Sequence, residues 1–514
     1  MDDIDLNVLL PNDPPFFSAK ARNGRLETSG IPIYTRGNKL PPTQPGGSYN
    51  GIYVEWQWDG NQLIVRNDRY GMSPLFYSCY DNEIWISPSI HPVLRGNAPK
   101  ELDDVALSVF LRMGHFIGQD TPFLHIRVLP PNSTLTWVEG RMQIKTASLP
   151  ICQDVNRSIS FDDAVDQFSH LFDQSIARRL PENDDFIVPL SGGRDSRHIL
   201  FALDSHGKRP KTCVTLKYRP PATNEDARVA RLIADEMRIP HVVLEKAASW
   251  FDAVLIDVYL TNFCGGSHGW ILPLSAWLKG RTHTIYDGLA GSVLSGGFLT
   301  DERKMRLYRE EKFEELASIL LYEGNKEGFN QTVLNRSFYR RTAMPMAVSR
   351  LVDELKIHAG ASNPMLSFIF WNRTRRMVSQ IPYSILSHVP LVHCPYLDHD
   401  LYDFITGLDA RIFLDNQLHD DAIRRTYPQY AGLPYEDKSK KADYCKADYA
   451  YFRYATNKLL KYTLSHGFNY SEFLRKEYLY PKILTDLARR HCHLPWYLIS
   501  TVYFFEFEEA YKAA

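Results

Sequence analysis

Two different periods of apolar and polar positions run along this chain. From Ser48 to about Val93 the period is two. Ile52-Tyr-Val-Glu-Trp-Gln-Trp58 alternates, Asp59-Gly60-Asn61 has hairpin-turn chemistry, and Leu63-Ile-Val65 is the return strand. Arg66 to Gly71 turns the chain into Pro74-Leu-Phe-Tyr77, and a second hairpin through Asp81-Asn82 leads to Ile84-Trp-Ile86. This pattern predicts a β-meander. The first 45 residues, rich in Pro, Gly and Asn, read as irregular or edge structure.

From Phe161 a helical period takes over. Ser160 is the expected N-cap, Ala164, Val165, Phe168, Leu171 and Phe172 share one face, and Arg178-Arg179 suit a helix C-terminus. Short apolar runs then alternate with helical stretches. Phe186–Leu190 is a strand, Ile199 to Leu203 a helix, Thr212–Leu216 a strand, Ala227 to Ile233 a helix opened by Asn224-Glu225-Asp226, and His241–Leu244 a third strand. Strands and helices in that order predict a parallel doubly wound sheet with ligands at the carboxyl ends of its strands. A helix over Trp270–Leu278 and a strand over Thr284–Tyr286 continue the series. Residues 300–390 read as charged helices, and Tyr451 onward as an aromatic helical tail.

The first strand of that series ends in Ser191-Gly-Gly-Arg-Asp-Ser196. Glycines between a buried strand and a helix expose backbone N–H groups at the positive end of the helix dipole, which suits a phosphate. The hydroxyls of Ser191 and Ser196 add donors. A glycine turn with no ligand would share the strand and the glycines, but it gives no reason for the acid at Asp195. An acid inside a phosphate-binding turn requires a cation between the two, and Mg²⁺ is the usual one.

Composition narrows the classes. At 514 residues the chain is too long for one core, so two domains or more are expected. A net charge of −1 gives no reason for a nucleic acid or membrane partner. Seven cysteines without C-x-x-C spacing argue against zinc and against a disulfide framework, which with the acidic Met1-Asp-Asp-Ile-Asp start implies a cytoplasmic protein.

The stretch Ser191-Gly-Gly-x-Asp-Ser196 resembles the pyrophosphate loop of the ATP pyrophosphatases, and it lacks the Gly-Lys-Ser/Thr ending of a Walker loop. Asp59-Gly60, Asn67-Asp-Arg-Tyr-Gly-Met-Ser-Pro-Leu-Phe-Tyr77, Ile86-Ser-Pro88 and Leu129-Pro-Pro-Asn132 resemble, in order, spaced elements of the glutaminase half of asparagine synthetase B. The resemblance implies an α/β protein with an N-terminal αββα, Ntn-hydrolase-like domain over 1–155. A doubly wound ATP pyrophosphatase domain with helical additions follows over 156–514. That glutaminase works through a cysteine at its mature N-terminus. Here Met1 is followed by Asp2 and the first cysteine is Cys79, expected as a buried small apolar residue, so the resemblance implies a domain without the amidase.

The second half is similar to the synthetase domain of asparagine synthetase and β-lactam synthetase. By that resemblance, the backbone at Thr215 and Leu216 holds adenine, Leu190 also lies in the nucleotide site, Ser191, Gly192, Gly193, Asp195 and Ser196 hold the pyrophosphate of ATP, and Gly288 opens a second glycine loop, Tyr286–Gly297. The family's metal-binding aspartate in that loop is Ser292 here, so either Asp195 holds Mg²⁺ with phosphates and water alone, or Asp287 adds a carboxylate from the strand end, or activity is reduced. Pro395–Leu401 resembles a late motif in which Asp398 is structural. Ala422–Pro428 resembles a helix whose phosphate-facing lysine is here Asp420. Leu433–Lys438 occupies the place of the family's last lysine segment, and Lys438, Lys440 and Lys441 all qualify to meet pyrophosphate, Lys438 first. Glu225-Asp226 reads as a helix-capping pair. Arg373, Arg375 and Arg376 fit either an anionic substrate or a solvated helix face.

The expected activity is therefore an ATP- and Mg²⁺-dependent, AMP-forming carbon–nitrogen ligase. It would adenylate a small-molecule or peptide carboxylate and pass it to an amine, either in a second molecule or within the same one, with a homodimer as a possible assembly. The other reading is a non-enzymatic nucleotide-binding relative of the same fold. A tRNA-thiolating enzyme has no support, because there is neither a catalytic cysteine pair nor a basic patch.

Overall fold

The alternating stretches become strands of two facing antiparallel sheets. In chain order these are β1 (Phe17–Arg22), β2 (Arg25–Gly30), β3 (Ile33–Gly37), β4 (Tyr53–Trp58), β5 (Gln62–Asn67), β6 (Phe76–Tyr80), β7 (Glu83–Ser87), β8 (Arg127–Val128), β9 (Ser133–Val138) and β10 (Arg141–Thr146). One sheet has the order β2-β1-β7-β6-β8 and the other β10-β9-β5-β4-β3. Every second residue points between them. Phe17, Ala19, Tyr77, Ile84 and Ile86 from one sheet meet Val54, Trp56, Leu63, Val65 and Trp137 from the other in a single core. The computed structural model describes residues 4–11, 13–42, 45–153, 155–218, 223–296, 301–413, 415, 417–437, 446–465, 472–488 and 495–513.

Two expectations change here. The first 45 residues contain three strands, and β1 lies inside its sheet, between β2 and β7. Its six residues do alternate, but two of its three apolar positions are the alanines Ala19 and Ala21, and its partner β2 is polar and exposed, so the periodicity is a weak signal. The meander is also two sheets. The chain leaves β5 and enters β6 in the opposite sheet through a corner at Asn67–Leu75. The Asp68 carboxylate accepts the N–H groups of Tyr70 and Gly71 at 2.8 and 2.9 Å, and Asn67 bridges Pro130 O and Ser133 N. The hairpin between β6 and β7 forms as expected, with Asp81 and Asn82 both at positive φ. Cys79, on β6, is half-buried rather than buried.

The second half builds a five-stranded parallel sheet of β11 (Phe186–Pro189), β12 (Thr212–Leu216), β13 (His241–Leu244), β14 (Thr284–Tyr286) and β15 (Leu391–His393), in the order β13-β12-β11-β14-β15. The helix Phe161–Ala177 starts where Ser160 accepts the N–H of Asp163, as its cap position predicts. The helix after β11 begins at Asp195, four residues before the first apolar position of its repeat, so the acid sits in the first helical turn. Helices fill much of 302–358, and the tail forms Lys446–Ser465, Lys476–Ala488 and Pro495–Ala513. No helix among the described residues is long and apolar enough to cross a membrane. Cys79, Cys152, Cys213, Cys264 and Cys394 form no disulfide.

Arginines join the two halves. Arg375 and Arg376 are buried on a wide-turn helix, Ile369–Val378, and neither lies on a solvated face. Arg375 donates to the carbonyls of Gly71, Gly118 and Leu129, and Arg376 to those of Gly118 and Asp120. Asp398, fully buried, accepts from Arg178 at 2.7 Å, Arg179 at 2.8 Å and Asn50 at 2.9 Å, which is the structural role its motif implied. Burial alone would raise its pKa, but the two arginines outweigh burial and hold it below the ordinary carboxylate value.

Removing the Asp398 charge leaves Arg179 buried without its counter-ion. Asp398→Asn is expected to cost about 3–5 kcal/mol, read as a lowered urea midpoint. A carboxylate with a depressed pKa contributes stability above its unfolded pKa and loses it as pH falls through the folded value. The wild type therefore loses more stability on acidification than the variant does.

Candidate functional site

A cavity of about 380 Å³ opens at the carboxyl ends of β11, β12 and β14. Leu190, Ser191, Asp195 and Ser196 line it from β11, Thr215 and Leu216 from β12, and Asp287 to Ser292 from the turn after β14. Trp270, Ile271 and Leu274 form an apolar wall, and Arg373 contributes a cation to the lining. The geometry thus brings together all of the candidate residues except Lys438, which, with Lys440, Lys441 and Gly297, lies outside the described residues. Gly192 and Gly193 belong to the same loop.

The loop is tied down from behind. Ser191 N–H donates to Ser196 Oγ at 2.9 Å, and the two hydroxyls are also 2.9 Å apart. Gly192 N–H donates to the Asp226 carboxylate, and Glu436 N–H donates to Gly192 O. Arg197 reaches back one turn, giving Nε to Gly193 O and Nη2 to Gly192 O, with its guanidinium 3.9 Å from the centre of the Tyr435 ring. In a trans peptide the C=O and the following N–H point in opposite directions. Holding both glycine carbonyls against Arg197 therefore turns the following N–H groups the other way, and Gly193 N–H meets Ser191 Oγ at 3.2 Å.

Asp226 and Arg197 are functional residues that pattern reading missed. Asp226 stands in the first turn of Glu225–Glu236, but its carboxylate secures the glycine loop, so the capping reading of Glu225-Asp226 gives way at Asp226. Asn224, in a left-handed conformation, is the cap position. Arg197 is four residues after Gly193 on the same helix, a spacing that could have signalled it.

Asp195 occupies the centre. Its Oδ2 accepts Ser292 Oγ at 2.7 Å and Ser292 N at 3.1 Å, while Oδ1 is buried with no hydrogen-bond partner. Burial pushes its pKa up to about 6, and the neighbouring Asp287 adds to the rise. Burial likewise raises Asp287 to about 6, with Leu289 N–H bonded to its Oδ1. A buried carboxylate oxygen without a donor, beside a second acid, is a fitting arrangement for a cation. Among the described residues no three His, Cys, Asp or Glu side chains form a cage that would hold a metal without further ligands.

The remaining candidates fall as follows. Thr215 Oγ1 bonds Leu190 O at 2.6 Å and His241 at 2.8 Å, so its hydroxyl is used within the sheet. Asp420 forms an ion pair with Arg194 at 3.4 Å. Gly288 and Gly291 are fixed by Asp195. A Cβ on Gly288 would lie 2.8 Å from Asp195 Cβ, and one on Gly291 would lie 2.7 Å from Asp195 Cγ and 2.9 Å from the Tyr396 ring.

Comparison with known proteins gives two family matches, a glutamine amidotransferase domain over residues 46–147 and asparagine synthase over residues 167–258. Asparagine synthetase [glutamine-hydrolyzing] 2 of Bacillus subtilis (strain 168) is 22% identical over 431 residues, 75% of this chain and 54% of that protein. Asparagine synthetase [glutamine-hydrolyzing] 3 of the same strain is 27% identical over 177 residues, 33% of this chain and 28% of that one. The chain thus spans about half the length of the first relative and less of the second. Among solved structures, an NH3-dependent NAD synthetase from Campylobacter jejuni matches 41% of this chain and 96% of its own, at 15% identity and a TM-score of 0.21. A glutamine phosphoribosylpyrophosphate amidotransferase from B. subtilis matches 38% of this chain and 48% of its own, at 11% identity and a TM-score of 0.14.

The contact at Gly291 sets a test. Gly291→Ala drives a methyl group into Asp195 and Tyr396, both held by other bonds, and is expected to destabilise by about 1–3 kcal/mol. Thermal denaturation reads the loss. An alanine variant that melts with the wild type would mean that the two loops are not in contact.

Proposed function

The chain belongs to the asparagine synthase-related family, and from that premise we propose that it is an ATP-dependent, AMP-forming amide-bond ligase. In this reading residues 1–155 form a glutaminase-like domain and residues 156–514 the synthetase domain. The observation that carries it is Asp195. It is a half-buried carboxylate whose buried Oδ1 has no hydrogen-bond partner, in the first turn of a helix that follows the glycine loop, and it lines the cavity.

The residues divide the work by position in the sheet. Leu190, Thr215 and Leu216 receive adenine on the β12 side. Ser191, Gly192, Gly193 and Ser196 receive the phosphates at the helix N-terminus. Asp195 and Asp287 would hold Mg²⁺, which when bound would neutralise phosphate charge. The acid to be activated lies over the end of β14, on the other side of β11 from adenine. Its carboxylate attacks the α-phosphate, pyrophosphate departs toward Lys438, and an amine then displaces AMP from the acyl-adenylate. The rate gain comes from holding the reactants together and from donors already aimed at the charge. The wall of Trp270, Ile271 and Leu274, with the Trp270 ring 5.2 Å from that of Tyr218 just past β12, supplies an apolar face on the adenine side.

One observation favours a catalytically impaired relative. Ser292 stands where the resemblance puts a second metal carboxylate, and it already satisfies Asp195 Oδ2. Exchange of radiolabelled pyrophosphate into ATP, across a panel of carboxylic acids, separates the two readings. The ligase is expected to exchange with at least one acid, and Asp195→Ala to lower that rate by about two orders of magnitude or more. Tight ATP binding with no exchange for any acid would instead establish the nucleotide-binding relative.

A further inference from the structure

Behind Asp195 runs a buried line of polar side chains that the ligase reading leaves unused. His198 lies one turn along the helix from Asp195, and Ser295 one turn along the short helix Gly291–Ser295 from Ser292. His419 comes from a third helix, Gln417–Thr426. All three side chains belong to fully buried residues. His198 Nδ1 is 3.0 Å from His419 Nε2, and His419 Nδ1 is 2.8 Å from Ser295 Oγ and 3.6 Å from Asp195 Oδ1. Tyr396 OH donates to Asp195 O at 3.1 Å and stands 3.1 Å from His419 Nε2. Phe172 stacks on His198 at 3.8 Å and the Phe168 ring meets His419 edge-on, so neither imidazole has room to turn.

One arrangement of protons satisfies Gly291 O, Ser295 and the contact between the two imidazoles together. Ser295 donates its hydroxyl hydrogen to Gly291 O at 2.7 Å, which leaves Oγ as an acceptor toward His419. In that arrangement His419 carries its proton on Nδ1 and accepts at Nε2 from His198 Nδ1–H, a tautomer assigned from the hydrogen-bond network. The resulting chain runs in one direction, from His198 to His419 to Ser295 to Gly291, and its central N–H also faces the unpartnered oxygen of Asp195. At 3.6 Å that contact orients the carboxylate by electrostatic attraction without being a hydrogen bond. Neutral donors then flank both oxygens of Asp195, Ser292 at Oδ2 and His419 at Oδ1.

We propose that His419 is a positioning residue, whose Nδ1–H sets the orientation in which the Asp195 carboxylate meets the cation of a bound nucleotide. This rests on the nucleotide-binding reading of the loop. A second carboxylate would constrain Asp195 by sharing the cation with it. With Ser292 in that place, the constraint comes from a neutral imidazole held on its far side by His198.

The test uses two isosteres. An asparagine at 419 puts its amide nitrogen where Nδ1 was, and a glutamine puts its amide nitrogen near Nε2. ATP affinity is measured on the full chain by calorimetry, once with Mg²⁺ and once with EDTA, for His419→Asn, His419→Gln and His419→Ala. The Ala and Gln variants are expected to lose about tenfold in affinity with Mg²⁺ and little with EDTA, while Asn stays close to the wild type. Ser295→Ala, which frees the Nδ1 proton for Asp195, is expected to keep or tighten Mg²⁺-dependent binding. The proposal is overturned if Asn and Gln behave alike, if affinity falls equally with and without Mg²⁺, or if Ser295→Ala binds as poorly as His419→Ala. A wild type that binds no ATP removes the nucleotide-binding reading as well. A wild type that binds ATP, beside a His419→Ala variant that binds equally well, removes this proposal and leaves that reading in place.

Discussion

A single carboxylate in a crowded junction sets the terms for the second half of this protein. Asp195 leaves β11 in the first turn of its helix and must fit against the turn that leaves β14, at distances where even a methyl group on Gly288 or Gly291 would collide. That fit depends on a very short register, Phe186 beside Thr284 and Ile187 beside Ile285. Two residue pairs are little sheet, so the loops do part of the joining. Ser292 donates twice to Asp195, Asp287 N–H takes His393 O, and Tyr396 OH reaches Asp195 O. The chemistry of the site and the closure of the sheet use the same bonds.

What could be read from the sequence followed from how local its causes are. The strand, glycines, acid and helix of 186–203 are contiguous, and each constrains the next, so the loop was identifiable before any contact was known. The cap at Ser160 and the turn at Asp81-Asn82 are local in the same sense. β1 was less legible, because its alternation rests on two alanines and its central place in the sheet comes from β2 and β7. The corner at Asn67–Leu75 escaped for a related reason. A turn between two strands looks the same in sequence whether the chain stays in one sheet or crosses to another.

Charged side chains were the least legible. Arg375 and Arg376 look in sequence like residues for solvent or for an anion, and they bind neither. They satisfy backbone carbonyls from the other half of the chain, a use that composition cannot signal. Asp226 and Arg197 differ in kind. Both lie at spacings that relate them to the glycine loop, but choosing that role over capping or solvent exposure required the fold. His419 had no local signal at all, since its partners come from positions 195, 198, 295 and 396.

Arg375 has a consequence for how the chain comes apart. Its three donors span Gly71, Gly118 and Leu129, the corner, a loop and the segment leading to β9. One apolar cluster likewise takes Phe76, Leu107 and Phe110 from the front and Ile187, Val254 and Phe504 from the back. Neither half can loosen without breaking three guanidinium–carbonyl hydrogen bonds and opening an oily face to water. Although the folds are of two kinds, the seam between them is built like an interior. A protease would therefore find no intermediate in which one half stands folded and the other is spent, and the two would be degraded together.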